Sequence, residues 1–564
     1  MTGNANGMMF FIFLLALAVS FPVSFALILF YRRAVLKSMN AQTDSPPQQR
    51  SENADSSTAR VSPENPAPAL PPITIYEGTS SIPLDAKAAT LFGKMRFARW
   101  QAAAIYTLAG IGFALVMMLA FLYDLDGFFP LRVVLMTAIY AFPMVLVINI
   151  VAEPRRAGKF LTGAIYFFIL ASMYFAALAL NLKLPLLSIA YLFLLMNLPG
   201  VIFLQVIMWR KIRAVAPLVL IFVSVAVSGA QLAISVGSSD DRVLRFLTWA
   251  GSFVGAGAKF VLFGIILAGI SMLMPISWLI LRRVGSRYEK KKISDQLITV
   301  NAVWLIFGIA NSLLLTSSGV VWILAGFAAF VVYRTILRIG FRLIKSSSSS
   351  LDGKKLLVLR VFSLGKRSER LFAAVGSLWR YGGSVRLIAG PDLATSTVEP
   401  HEFLDFVSGK LVRRFIDRTE TLDLRFSETD DAPDPDGRFR VNDFFCRDNA
   451  WKTVLARLVR ESDAVIMDLR DFSAQNSGCI YEIDELINHA PLERVVFVVG
   501  GNPHDERLLL QTARQSWERM KIISPNKNFE SAARLCLFRL TNPNSGGALR
   551  QLLRALCVAA TQKS

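Results

Sequence analysis

Three histidines and four cysteines in 564 residues leave this chain little from which to build a metal site. The cysteines, Cys446, Cys479, Cys536 and Cys557, are far apart and irregularly spaced, with no CxxC pair and no Cys/His ligand cluster. That pattern excludes a zinc site of ordinary spacing, so no metal is expected, and the four thiols are expected to stay reduced in a cytosolic compartment. No GxGxxG fingerprint and no phosphate-binding P-loop occurs, which removes the usual dinucleotide and NTPase motifs. The acidic run TDDAPDPDG at 429–437 has the composition of a calcium loop, yet it lacks the EF-hand spacing and the closing glutamate, and it reads as a solvated turn. Acidic residues are scarce as a class, 41 Asp and Glu against 61 Lys and Arg, for a net charge of +20.

The excess positive charge belongs to one part of the chain. Residues 1–351 hold 30 Lys and Arg against 13 Asp and Glu, whereas residues 352–564 hold 31 against 28. Much of the excess lies in short loops between apolar runs, where it sets topology, so no nucleic-acid partner is expected. The runs fall near 8–30, 102–123, 131–151, 160–180, 185–208, 216–236, 257–281, 297–316 and 319–341. Each approaches the roughly 20 residues that cross a bilayer, which predicts about nine transmembrane helices with lipid as the partner. Arg155, Arg156 and Lys159 follow the third run, Arg210, Lys211 and Arg213 the fifth, and six Lys/Arg from Arg282 to Lys292 the seventh. The alternate loops carry Asp124 and Asp126, or Asp240 and Asp241. By the positive-inside rule the N-terminus is expected outside and the C-terminal region in the cytoplasm. Residues 1–33 read as an uncleaved anchor, because Arg32 and Arg33 follow the apolar stretch and no small-residue cleavage site does.

Residues 34–93 include SPPQQRSENADSSTARVSPENPAPALPP and are expected to be a disordered cytoplasmic linker. Residues 94–345 follow as a polytopic membrane domain of about eight helices, and 346–353, opening with five serines, as a flexible hinge. Arg334, Arg338, Arg342 and Lys345 share one face of the last span, against lipid headgroups or in solvent. Lys259 is either a residue of a transport site or a side chain snorkelling to the headgroups. Gly251 and Gly255 have the spacing of close helix packing.

Residues 354–564 alternate strand and helix. KKLLVLRVF (354–362), SVRLIAG (384–390), DAVIMDL (463–469) and RVVFVVG (494–500) are apolar runs of the kind buried on both faces of a parallel sheet. Helices are predicted over 366–380, 401–418, 447–461, 478–489 and 504–519, with a further strand at 520–523 or 535–540. This is a doubly wound α/β pattern, whose ligands sit beyond the carboxyl ends of the strands. Those ends bring forward Arg360, Ser363, Asp392 and Asp471 as the lining of a binding cleft. Glu482 is either part of a solvated acidic first turn with Asp484 and Glu485, or a carboxylate facing that cleft. Cys479 reads as a small buried residue, since no histidine stands in motif relation to it.

Trp451-x₆-Leu458, a strand after Ser462-Asp463-Ala464, and SGCIYEI at 477–483 together resemble the central part of Toll/interleukin-1 receptor (TIR) domains. The first strand departs from that pattern with VLRVFSLGKR, the aromatic before the cysteine is missing, and 391–446 is a long insertion. The resemblance implies a flavodoxin/TIR-like fold for residues 354–564, with Glu482 as the catalytic residue of NAD cleavage and NAD as substrate or ligand. It also implies self-association through this domain. The whole chain is similar to bacterial membrane proteins carrying such a module after several spans, which implies the bacterial inner membrane and a role in sensing or signalling. A non-catalytic interaction module and a transporter with a regulatory domain remain the alternatives.

Overall fold

The computed structural model of the chain describes residues 2–40, 74–77, 85–123, 129–151, 156–179, 215–239, 258–315, 319–347, 353–360, 366–389, 400–416, 419–446, 450–527, 534–542 and 545–562, with a few isolated positions besides. The apolar part consists of α1 (Thr2–Asn40), α2 (Ala86–Tyr123), α3 (Pro130–Tyr140), α4 (Pro143–Val151), α5 (Arg156–Ala179), α6 (Ala216–Ser239), α7 (Ala258–Glu289), α8 (Asp295–Leu315) and α9 (Ala325–Ser347). Among the described residues six helices are long and apolar enough to cross a membrane, or seven spans if α3 and α4, bent by 46°, count as one. The bend falls at Pro143, which has no N–H to continue the ladder. Of the nine expected runs, 185–208 lies outside the described residues. Lys259 stands in the first turn of α7.

α2 has 38 residues, about 57 Å at 1.5 Å per residue, nearly twice a hydrocarbon core of about 30 Å. Its N-terminal turns therefore extend beyond a bilayer, and they meet the α/β unit: the Met95 side chain covers Gly382, and Arg554 lies over the Phe92 ring. Inside the bundle the close approaches are made by glycine. A Cβ at Gly229 would stand 2.0 Å from the Gly269 carbonyl oxygen, and one at Gly326 2.2 Å from that of Gly308, so α6 packs on α7 and α8 on α9 backbone to backbone. Gly255, expected to pack with Gly251, lies outside the described residues.

The α/β unit is built on an eight-stranded, wholly parallel sheet. Its strands are β1 (Thr74–Glu77), β2 (Lys354–Arg360), β3 (Gly383–Ala389), β4 (Phe415–Ile416), β5 (Val441–Cys446), β6 (Ala464–Asp468), β7 (Val495–Val499) and β8 (Arg534–Arg539). Their order across the sheet is β1-β8-β7-β6-β2-β3-β5-β4. Side chains alternate between two cores. Leu356, Val358, Ile466, Val496 and Phe538 face α10 (Lys366–Trp379), α16 (Gly546–Thr561) and the start of α2. Leu357, Leu359, Val465, Met467 and Phe497 face α13 (Trp451–Glu461), α14 (Ser477–His489) and α15 (Pro503–Glu518). Both faces are buried, which is why the strands read as unbroken apolar runs. Two further short helices, α11 (Pro400–Val407) and α12 (Thr419–Ser427), flank β4.

Three sequence expectations are corrected here. The segment 34–93 is not wholly a disordered linker. Thr74–Glu77 pairs along β8 in register Thr74↔Arg534 to Glu77↔Leu537, Glu77 is ion-paired to Arg539 at 2.7 Å, and helix α2 already begins at Ala86. Thr74, Ile75 and Tyr76 carry enough β-branched and aromatic character to pair despite a Pro- and Ser-rich context. The 391–446 stretch is more than an insertion, since it supplies β4 and β5. Finally, the acidic run at 429–437 is a docked loop. Asp434 and Asp436 are buried with Arg438 and Arg440 beside them. Arg440 donates to Asp434 at 2.8 Å and to the Tyr288 carbonyl at 2.6 Å, while Ser294 and Tyr106 donate to Asp436. Next to them Arg380 forms a two-pronged bond to Asp295 at the start of α8, 2.9 and 3.1 Å. Acids that would be costly to bury alone are tolerated because arginines meet them there.

Candidate functional site

The helix after β2, α10, packs on the core face shared with α2, whereas the helix after β6, α14, packs on the opposite core. β2 and β6 are neighbours, paired out to Arg360↔Asp468. Adjacent strands whose connections depart to opposite faces leave a crevice at their carboxyl ends, the position where open α/β sheets bind ligands.

Glu482 reaches this crevice from α14. Cys479, Glu482, Ile483, Leu486 and Ile487 repeat at helical spacing and are all buried, so the glutamate occupies a position on the apolar stripe. The loop before the helix is closed by Asn476, whose Oδ1 accepts from the Ser473 amide at 2.8 Å and hydroxyl at 2.9 Å. Glu482 is 3% exposed, and its Oε2 has no hydrogen-bond partner. Burial pushes its carboxyl up to about 8, against the opposing pull of the Arg360 guanidinium. The carboxyl is thus neutral over most of the physiological range, and the solvated acidic turn is excluded.

The structure brings Arg360 and Glu482 together in one cleft, closed over by Phe372 of α10 and by Leu387 and Ile388 of β3. Arg360 is itself buried, and its backbone carbonyl lies 3.8 Å from the Cys479 sulfur. The free space is about 10 Å³, near that of one water molecule, so any larger ligand requires Phe372 or the β3 end to move aside. Ser363 and Asp392 lie outside the described residues. Asp471 is described and is not part of the lining: its backbone is left-handed (φ 64°) and its exposed carboxylate pairs with Arg367 at 3.1 Å.

The neighbouring Asp468 also belongs to this crevice. It is fully buried at the end of β6, where Arg470 grips both its oxygens at 2.7 Å and the Ser368 hydroxyl donates to it at 2.7 Å. The sequence carries the signal: an aspartate inside an apolar strand run demands a partner, and an arginine two residues on supplies it. This cluster ties the β6 end to the first turn of α10. The crevice therefore holds one carboxyl clamped by arginine and one, Glu482, whose Oε2 is buried without a hydrogen-bond partner. Among the described residues no His/Cys/Asp/Glu group is arranged to hold a metal ion. Compared with known families, curated proteins and solved structures, the chain matches no family model, no curated protein and no solved structure.

Proposed function

We propose that this is a multi-pass membrane protein of sensing or signalling type, whose α/β unit is a cytoplasmic TIR-like module that binds and cleaves a nucleotide such as NAD. The observation that carries the proposal is Glu482, buried with its Oε2 free of hydrogen bonds, beside Arg360 at the sheet's crossover point. Two further features support it. The strands β3-β2-β6-β7-β8 stand in the order 2-1-3-4-5 of flavodoxin-like sheets, flanked by β1 on one side and β5-β4 on the other. The ends of α1 and α7 that carry Arg32, Arg33, Arg282 and Arg283 lie toward the α/β unit, the distribution expected of a cytoplasmic face in a bacterial inner membrane.

The cationic nicotinamide ribosyl group enters beside Glu482 and favours the ionised form of its carboxyl; the C1′–N bond breaks with its electron pair leaving on nicotinamide, the carboxylate stabilises the oxocarbenium-like centre, and water bonds to C1′ and releases a proton. Arg360 orients the ligand's phosphates or hydroxyls. Opening of the cleft is governed by Phe372, whose helix packs on α2 and α16, so a movement of the bundle reaches the cleft through α10. The test is nicotinamide release by the full-length protein in nanodiscs. Glu482→Ala abolishes it, and Asp471→Ala, outside the cleft, leaves it within about twofold. Release that persists in Glu482→Ala overturns the assignment, and wild-type protein that binds NAD without consuming it favours a non-catalytic module.

A further inference from the structure

A second cavity, of about 130 Å³, opens where β5 meets the last turn of α7, bounded by Tyr288, Arg414, Arg425, Glu428 and Asp443 among others. It is two strands from β2 and independent of Glu482. Three guanidinium groups converge on it. Arg440 lies over the Tyr288 ring at 4.0 Å and is committed to Asp434, and Arg414 is held by Asp405. Arg425 is the incompletely used one. Its buried Nε has no partner, its Nη2 makes only a long 3.5 Å contact to the Asp443 carbonyl, and its Nη1 holds Glu428 at 2.9 Å. Glu428 is 53% exposed, and an exposed pair of this kind is weak, so a stronger acceptor displaces it readily.

The other acids around the cavity are already engaged. Asp430 is taken by Lys291 and Arg440, and Asp443 is hydrogen-bonded to Glu402. Burial holds the Asp443 carboxyl above the usual range, which lowers its negative charge. What remains is Arg425, whose Nη1 is held by an exposed carboxylate that a phosphate can replace, and guanidinium groups bind phosphate by paired N–H donors.

We propose that this cavity binds a phosphate monoester, offered by a soluble metabolite or by a lipid headgroup, at the seam between the membrane helices and the α/β unit. Its position ties occupancy to the bundle. Tyr288 belongs to the last turn of α7, next to Lys290, Lys291 and Lys292, and behind the cavity Asp443 meets Glu402, which accepts from Tyr31 of α1 at 3.2 Å. A bound anion therefore bridges β5 and the last turn of α7, adding a link to the contacts that α1, α2, α7 and α8 already make with the α/β unit.

The experiment is thermal melting of the full-length protein with glycerol 3-phosphate as the soluble probe, chloride being matched for ionic strength, in nanodiscs of phosphatidylcholine with or without phosphatidate. The expected result is saturable stabilisation. Arg425→Gln weakens the apparent affinity at least tenfold, and Glu428→Gln, which frees Arg425, tightens it several-fold. A soluble source is indicated if glycerol 3-phosphate acts regardless of phosphatidate, and a headgroup source if phosphatidate stabilises the protein and removes the response to the soluble probe. No saturable response to either probe, or equal responses in the two variants and the wild type, overturns the proposal. Should Arg425→Gln fail to fold, the direction of the Glu428→Gln change decides alone.

Discussion

Glu482 is the residue that carries the proposed chemistry, and its burial has a cost that pH reveals. Its pKa rises from 4.5 to about 8 on folding, so the folded state holds the proton longer than the unfolded chain. The stabilisation associated with the bound proton is fully present below pH 4.5 and is lost as pH rises through about 8, at about 1.4 kcal/mol per pH unit. Glu482→Gln, neutral at every pH, escapes that loss. The variant is expected to melt increasingly above the wild type between pH 5.5 and pH 8.5, and a gap that does not change with pH would show that the carboxyl is already ionised. Asp468 is the opposite case. Ser368→Ala removes one of its donors while Arg470 remains, so a loss of about 1 kcal/mol is expected.

At the scale of elements, the runs at 354–362, 384–390, 463–469 and 494–500 were legible because a strand buried on both faces has no polar position to interrupt it. Of the two candidate sites for a last strand, 535–540 is the one realised, as β8, while 520–523 forms turns. β5, reading VNDFFC, was not legible, since Asn442 and Asp443 serve the docked loop and the Glu402 contact and break the apolar pattern. β1 was hidden by averaging four residues into a Pro- and Ser-rich window. Glu482 was half legible: its spacing from Cys479 and Leu486 places it on the buried stripe, but its acidic neighbours suggested a solvated turn. α16 was missed altogether, and it matters most for the domain boundary. Its apolar residues, with Met95 and Phe92 of α2 set against the same face, form one core with the bundle. The fragment 352–564, which lacks β1 and α2, is therefore expected to be insoluble or to melt well below the unit within the full chain. Within the bundle, Gly229→Ala forces a methyl against the Gly269 carbonyl and is expected to cost about 1–3 kcal/mol, read as a lower melting temperature in detergent.

Over the whole molecule, the α/β unit is anchored at several points rather than tethered at one. Tyr31 of α1, the first turns of α2, Tyr288 of α7 and Asp295 of α8 all bond or pack against it. Asp295 and Arg380 are the clearest anchor, both largely buried. Removing one partner leaves a buried charge, so Asp295→Asn is expected to lower stability by about 3–5 kcal/mol. Adding Arg380→Met recovers part of that loss if the pair acts as a unit, and strictly additive losses would argue that the two side chains act separately. This seam gives the proposed control a physical route, because a shift of α2 or α8 moves α10, and α10 carries Phe372 over Glu482. The most direct test of the account is the pH profile of kcat/KM for NAD cleavage by the full-length protein in nanodiscs, wild type beside Glu482→Gln. The account predicts a rate that climbs about tenfold per pH unit below about 8 and levels above it in the wild type, with no cleavage by the variant. A flat wild-type profile, or cleavage by the variant at the same rate, would contradict it.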